Sequence, residues 1–85
     1  MKLVFTERAW ADCLYWQDAD KEVLARVNEV IRDASRGLGK PEPLAENLEG
    51  FWSRRIAREH RMVYRVSGAS GAQALEIVAC RYHYD

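Results

Sequence analysis

Apolar positions along the chain fall into two periods. Between residues 20 and 35, Val23, Leu24, Val27, Val30 and Ile31 stand at i, i+1, i+4, i+7 and i+8, the spacing that lines one stripe of an α-helix. Lys21, Glu22, Glu29, Arg32 and Asp33 fill the wet face. An earlier helix is predicted over 7–17, where Trp10, Cys13, Leu14 and Gln17 keep helical spacing and Tyr15 and Trp16 widen the stripe. Trp10 and Leu14 are expected in its core. Thr6 suits an N-cap, and Asp18 or Asp20 suits the cap of the second helix. So short a link predicts an antiparallel helical hairpin. Gly37 and Gly39 then suit a left-handed C-terminal cap.

The second period is two. Leu3 and Phe5 share one face of a predicted strand over 2–5. In 51–57, Phe51, Ser53 and Arg55 alternate with Trp52, Arg54 and Ile56. In 61–66, Arg61, Val63 and Arg65 alternate with Met62, Tyr64 and Val66. In 74–82, Leu75, Ile77 and Ala79 alternate with Glu76, Val78 and Cys80. Arg58, Glu59 and His60 read as a hairpin turn, with His60 alternatively a supporting contact beside Arg61, and 67–73 as a longer flexible one. Residues 38–50 read as a loop, stiffened by Pro41 and Pro43 on either side of Glu42. The order β-α-α-β-β-β predicts an α+β fold, an antiparallel sheet with the N-terminal helical hairpin packed on one face.

A length of 85 residues predicts one small domain, with 48% hydrophobic and 31% charged residues in the globular range. A core of that size gives limited stability, so association with a partner is favoured. No apolar run reaches the roughly 18 residues of a membrane span, and the N-terminus lacks the apolar core of a signal peptide. A cytoplasmic protein without a membrane role is expected. Cys13 and Cys80 have no CxxC spacing and are expected as reduced, packed thiols. Net charge is zero, but residues 1–35 carry five basic and seven acidic residues, whereas 36–85 carry eight basic and six acidic. The second half is the basic end.

That half also holds the candidate chemistry. Lys40 to Tyr64 and the terminal RYHY gather a carboxylate, two histidines, a dense set of arginines and several aromatics. RNA cleavage by 2′-hydroxyl attack needs a base, an acid for the leaving 5′-oxygen, and cations on the phosphate. Glu42 could serve as base and His83 as acid. Arg61 could clamp the phosphate, with help from Arg55, Arg65 or Lys40, because the guanidinium fork matches phosphate oxygens. The scheme calls for no metal or other cofactor. Arg61 begins its strand and His83 ends the last one, so antiparallel neighbours would bring both to one edge.

The order KPEPL, NLEGFWSRRI, EHRMVYRV and ACRYHY, with the opening MKLVFTERAWADCLYWQDADK, resembles the YoeB toxins of the RelE/ParE superfamily over nearly the whole chain. The chain differs from that pattern in Asp85, one residue past the usual terminal Tyr, and in a longer 67–73 loop. The resemblance implies a RelE-like fold and a toxin of a type II toxin–antitoxin pair that cuts mRNA on the 70S ribosome without metal. It implies Glu42 as general base, Arg61 as phosphate-stabilising residue and His83 as general acid, with Tyr84 completing the site against the RNA. It further implies a YefM-like antitoxin as partner, with a homodimer left open.

Two other readings compete. A ParE-like relative would bind DNA gyrase without chemistry, and would lack the set Glu42, Arg61, His83 and Tyr84. A metal site would draw on His60, His83, Cys80 and Glu59. Its spacing is poor, because residues three apart on a strand point to opposite faces.

Overall fold

The computed structural model describes residues 1–44 and 50–82. Strand β1 (Lys2–Phe5) leads into helix α1 (Glu7–Ala19) and helix α2 (Lys21–Ser35). Four strands follow: β2 (Glu42–Pro43), β3 (Trp52–Ala57), β4 (His60–Ser67) and β5 (Ala74–Ala79). Thr6 caps α1 by accepting the Ala9 N–H on its hydroxyl oxygen at 3.1 Å. Asp20 is the hinge of the hairpin. Its N–H donates to the Trp16 carbonyl while its Oδ1 accepts from the N–H groups of Glu22 and Val23. One residue therefore closes one helix and opens the next. At the end of α2 the Leu38 N–H reaches the Asp33 carbonyl and the Gly37 N–H that of Ala34. This is the paired Schellman arrangement, with Gly37 at φ +71°.

The described strands form one sheet in the order β1-β5-β4-β3-β2. Pairs β3–β4 and β4–β5 are antiparallel, as expected, and so is the β2–β3 pair. The β1–β5 pair is parallel, with Leu3 opposite Leu75 and Phe5 opposite Ile77. The α+β expectation holds, but the sheet is mixed rather than wholly antiparallel. Alternation gives a strand's faces and not its neighbour. Here the helical hairpin carries the chain from one sheet edge to the other.

Local assignments also move. Glu42 and Pro43 are not loop but a two-residue edge strand, where the missing Pro N–H is tolerated. His60 is not a turn residue. It pairs with Ala57, leaving Arg58 and Glu59 as the turn, with Arg58 at φ +52°. Strand β5 ends at Ala79 rather than running to Tyr82.

The core lies between the helices and one sheet face, where Val23, Val27, Val30 and Ile31 of α2 meet Met62, Tyr64, Leu75 and Ile77. In α1 the buried positions are Ala9, Asp12, Cys13 and Trp16. Trp10 and Leu14, expected in the core, are 54% and 44% exposed. The helix presents the stripe 9-12-13-16 to the sheet, and that rotation leaves the two larger side chains on its shoulder. Cys13 and Cys80 are free and buried. The Cys80 thiol is pushed far above its ordinary value by its hydrogen bond to Cys13 and by burial. No described helix is long and apolar enough to cross a membrane.

Candidate active site

Strand alternation decides which side chains reach the open face of the sheet. Met62 and Tyr64 of β4 turn to the helices, so Arg61 and Arg65 turn away from them. On β3, Arg54 faces the helices and pairs with Asp33 of α2 at 3.5 Å. Ser53 and Arg55 therefore share the open face with Arg61. Register completes the set, because Glu42 stands opposite Ser53, Ser53 opposite Val63, and Arg55 opposite Arg61.

Glu42 and Arg61, apart in sequence by nineteen residues, meet on this face. Arg61 Nη2 donates to Glu42 Oε1 at 2.8 Å, and Arg61 Nε donates to Ser53 Oγ at 3.0 Å. The Arg61 side chain is 19% exposed and that of Glu42 72%. The guanidinium is thus fixed at its inner nitrogen by a buried hydroxyl and aimed outward at a wet carboxylate. An Arg presents five N–H donors, so donors remain for an incoming anion. Arg55, exposed and directly across from Arg61, adds a second positive charge. Like charges set opposite one another repel, and Glu42 offsets that repulsion.

The remaining sequence candidates divide. Lys40 is exposed two residues before Glu42. Arg65 Nε lies 3.2 Å from Glu76 Oε1, and its guanidinium lies 5.3 Å from the centre of the Phe51 ring. Its charge is therefore partly neutralised on the face. His83 and Tyr84, with Asp85, lie outside the described residues. The chain that leads to them is described, and the Tyr82 carbonyl accepts the Arg61 N–H at 2.8 Å.

Sequence reasoning missed the residues behind this face. Ser53, read only as one position in an alternating strand, holds Arg61. Asp12 is buried on the core stripe of α1, and its Oδ2 accepts the Cys80 N–H at 2.9 Å. Trp16 Nε1 donates to the Cys80 carbonyl at 2.9 Å, and His60 Nδ1 accepts the Tyr82 N–H at 2.9 Å. An acidic residue at the helical spacing of Ala9, Cys13 and Trp16 was the one available signal. His60 reads in sequence as a turn residue or a supporting contact beside Arg61, and not as the acceptor of the Tyr82 N–H. Among the described residues no group of three or more His, Cys, Asp or Glu side chains is gathered as a metal site would require.

A family profile described as the YoeB-like toxin of bacterial type II toxin–antitoxin systems matches residues 5–84. The chain is 54% identical over 88 residues to Toxin YoeB of Escherichia coli O6:H1 (strain CFT073), covering 99% of this chain and all of that one. It superimposes with a TM-score of 0.90 on the YoeB/ParE toxin from Agrobacterium tumefaciens, at 51% identity, covering 99% of this chain and 100% of that one. The YoeB dimer from Staphylococcus aureus gives a TM-score of 0.83 at 38% identity, covering 99% and 98% of the two chains. The same coverage, at a TM-score of 0.81 and 38% identity, holds for the toxin in a heterotetrameric YoeB–YefM toxin–antitoxin complex from that organism.

Proposed function

The chain belongs to the YoeB-like toxins of bacterial type II toxin–antitoxin systems, and on that premise we propose that it is a ribosome-dependent, metal-independent mRNA endoribonuclease. The observation that carries this reading is the Glu42–Arg61 contact on the open sheet face, beside the carbonyl from which the chain passes to His83. Glu42 takes the proton from a ribose 2′-hydroxyl, and the freed oxygen bonds to the adjacent phosphorus. Arg61 turns spare N–H donors to the phosphate oxygens as their negative charge grows. His83 gives a proton to the 5′-oxygen as its bond to phosphorus breaks. The products are a 2′,3′-cyclic phosphate and a 5′-hydroxyl. Tyr84 stacks on or orients the RNA, while Lys40, Arg55 and Arg65 hold neighbouring phosphates.

The near-zero net charge gives little nonspecific attraction to nucleic acid. This fits a single-domain cytoplasmic enzyme that meets its RNA on the 70S ribosome rather than free in solution. A YefM-like antitoxin is its inhibitor, by analogy with the Staphylococcus aureus complex, and self-association follows the dimer of that same relative. The test is cleavage of a defined mRNA on purified ribosomes, mapped by primer extension. Wild type is run beside Glu42→Ala, Arg61→Ala and His83→Ala. Ribosome-dependent cuts that fade in all three variants support the reading. Cuts unchanged in the variants remove these residues from the chemistry. No cuts by folded protein redirect the search to a non-catalytic target such as DNA gyrase.

A further inference from the structure

Strand β5 ends at Ala79, yet the backbone of Cys80 and of Tyr82 beyond it is held in place. Cys80 is clamped on both sides of its α-carbon by α1. Its N–H donates to Asp12 Oδ2 and its carbonyl accepts from Trp16 Nε1, each at 2.9 Å. The two helix residues are one turn apart, so they face the same stretch of chain. Tyr82 is clamped in the same way by β4. Its N–H donates to His60 Nδ1 at 2.9 Å and its carbonyl accepts the Arg61 N–H at 2.8 Å.

Buried polar side chains are a costly way to fill a core. Asp12, His60 and the Trp16 indole each need a partner to offset their lost hydration. Apolar residues of similar volume would serve packing as well. What the polar groups add is direction. Tyr82 sits at φ +64°, a left-handed conformation that costs a non-glycine residue about 1–2 kcal/mol. That conformation turns the chain out of the strand line at the residue before His83. The two bonds at Tyr82 hold the turn, and Trp16 packs edge-on against His60 with ring centres 4.8 Å apart.

We propose that Asp12, Trp16 and His60 are positioning residues for cleavage, which fix the backbone of 80–82, the segment from which the chain passes to His83 and Tyr84. Arg61 links that segment to Glu42. Its backbone N–H holds Tyr82 while its side chain holds Glu42. The inference rests on the nuclease reading for its catalytic consequence, but the anchoring itself can be measured without activity. His60 acts through the Nδ1 lone pair, so its proton resides on Nε2, which faces Glu59 Oε1 at 3.4 Å.

The variants are His60→Leu, which removes the acceptor, and His60→Asn, whose side-chain oxygen occupies the place of Nδ1. In single-turnover cleavage on ribosomes, His60→Leu should lower the maximal rate by about tenfold to 100-fold with half-saturation unchanged. His60→Asn should recover most of it. In amide hydrogen exchange, Tyr82 should lose protection in the Leu variant and keep it in the Asn variant, while the amides of α2 stay as in wild type. Asp12→Leu set against Asp12→Asn, whose side-chain oxygen keeps an acceptor for the Cys80 N–H, carries the same comparison at Cys80 if His60→Leu does not fold. Wild-type cleavage by folded His60→Leu overturns the proposal, as does equal loss in the Leu and Asn variants. If wild type itself does not cut RNA, the nuclease reading fails, and unchanged Tyr82 exchange in His60→Leu then overturns the anchoring as well.

Discussion

Arg61 Nη2 lies 2.8 Å from Glu42 Oε1 because Glu42 and Arg61 sit on either side of Ser53 on one sheet face. Edge strand β2 contributes only two residues, and one of them is Glu42. Pairing with β3 gives that carboxylate a fixed register that a free loop would lack. Between Pro41 and Pro43 the backbone also has little freedom left to lose.

Arg61→Lys should behave nearly as badly as Arg61→Ala. A Lys ammonium keeps the charge but cannot bond Ser53 through an inner nitrogen while presenting outer donors. The cleavage rate should fall about 100- to 1,000-fold for Ala and within about tenfold of that for Lys. Both changes should lower the urea midpoint, through the lost bond to the buried Ser53 hydroxyl rather than through the ion pair, which is wet on its Glu42 side. Single-turnover rates and urea curves on the same preparations check both statements. A Lys variant with near wild-type rate would mean that charge suffices.

Ser53→Ala isolates the inner contact. The hydroxyl is buried and accepts from Arg61 Nε at 3.0 Å. Its removal leaves that N–H unpaired beneath the guanidinium, costing about 1 kcal/mol or somewhat more. Glu42 and the outer donors stay, so the cleavage rate should drop severalfold and not vanish. Ser53→Thr keeps the hydroxyl and should stay close to wild type. A rate for Ser53→Ala equal to wild type would remove the serine from any role in orienting Arg61.

The parts of this molecule that were legible in sequence are those set by local period. The stripe of α2, the cap at Thr6, the choice of Asp18 or Asp20 as the second cap, and the core faces of β4 and β5 all follow from spacing and cap chemistry. Trp10 and Leu14 went wrong because a helix carrying apolar residues on most of its sides does not declare which side meets the sheet. The parallel β1–β5 pairing is a long-range choice that alternation does not encode. At the site, Glu42, Arg61, Arg55, Lys40 and Arg65 were visible as charges in a basic half. Ser53, which holds Arg61, and Asp12, which holds Cys80, were hidden because each is a polar residue whose importance lies in one hydrogen bond to a segment distant in sequence. His60 reads in sequence as a turn residue or a contact beside Arg61, without its bond to Tyr82.

Gly39→Ala should cost more stability than Gly37→Ala. Both glycines have positive φ, +92° and +71°, so each substitution pays the left-handed penalty of about 1–2 kcal/mol. Around Gly37 an added Cβ meets nothing within 4 Å. At Gly39 it would stand 2.5 Å from Arg54 Cζ. Arg54 is mostly buried and tied to Asp33, so it moves only by weakening that pair. Urea unfolding of both variants checks the order. In the Arg54→Ala background the extra cost of Gly39→Ala should disappear, which is a non-additivity that a purely backbone effect would not produce.

Alkaline pH should loosen the fold through Tyr64. Burial raises its phenol above the ordinary 10.0, with Arg54 pulling weakly the other way. The folded chain therefore keeps the phenolic proton to higher pH than the unfolded chain does. The stability from this difference is fully present below pH 10.0 and is lost as pH rises through the folded value. The slope for one group reaches at most about 1.4 kcal/mol per pH unit. Cys80, raised by its bond to Cys13 and by burial, works in the same direction from 9.0 upward. Cys13, lowered by that bond, opposes it, so the thiol pair contributes by difference. Urea midpoints measured from pH 7 to 11 should stay level to about 9 and then fall. Tyr64→Phe should remove the part of the fall above 10 and leave the earlier part in place. Parallel curves for wild type and Tyr64→Phe over that whole range would rule Tyr64 out as the titrating group.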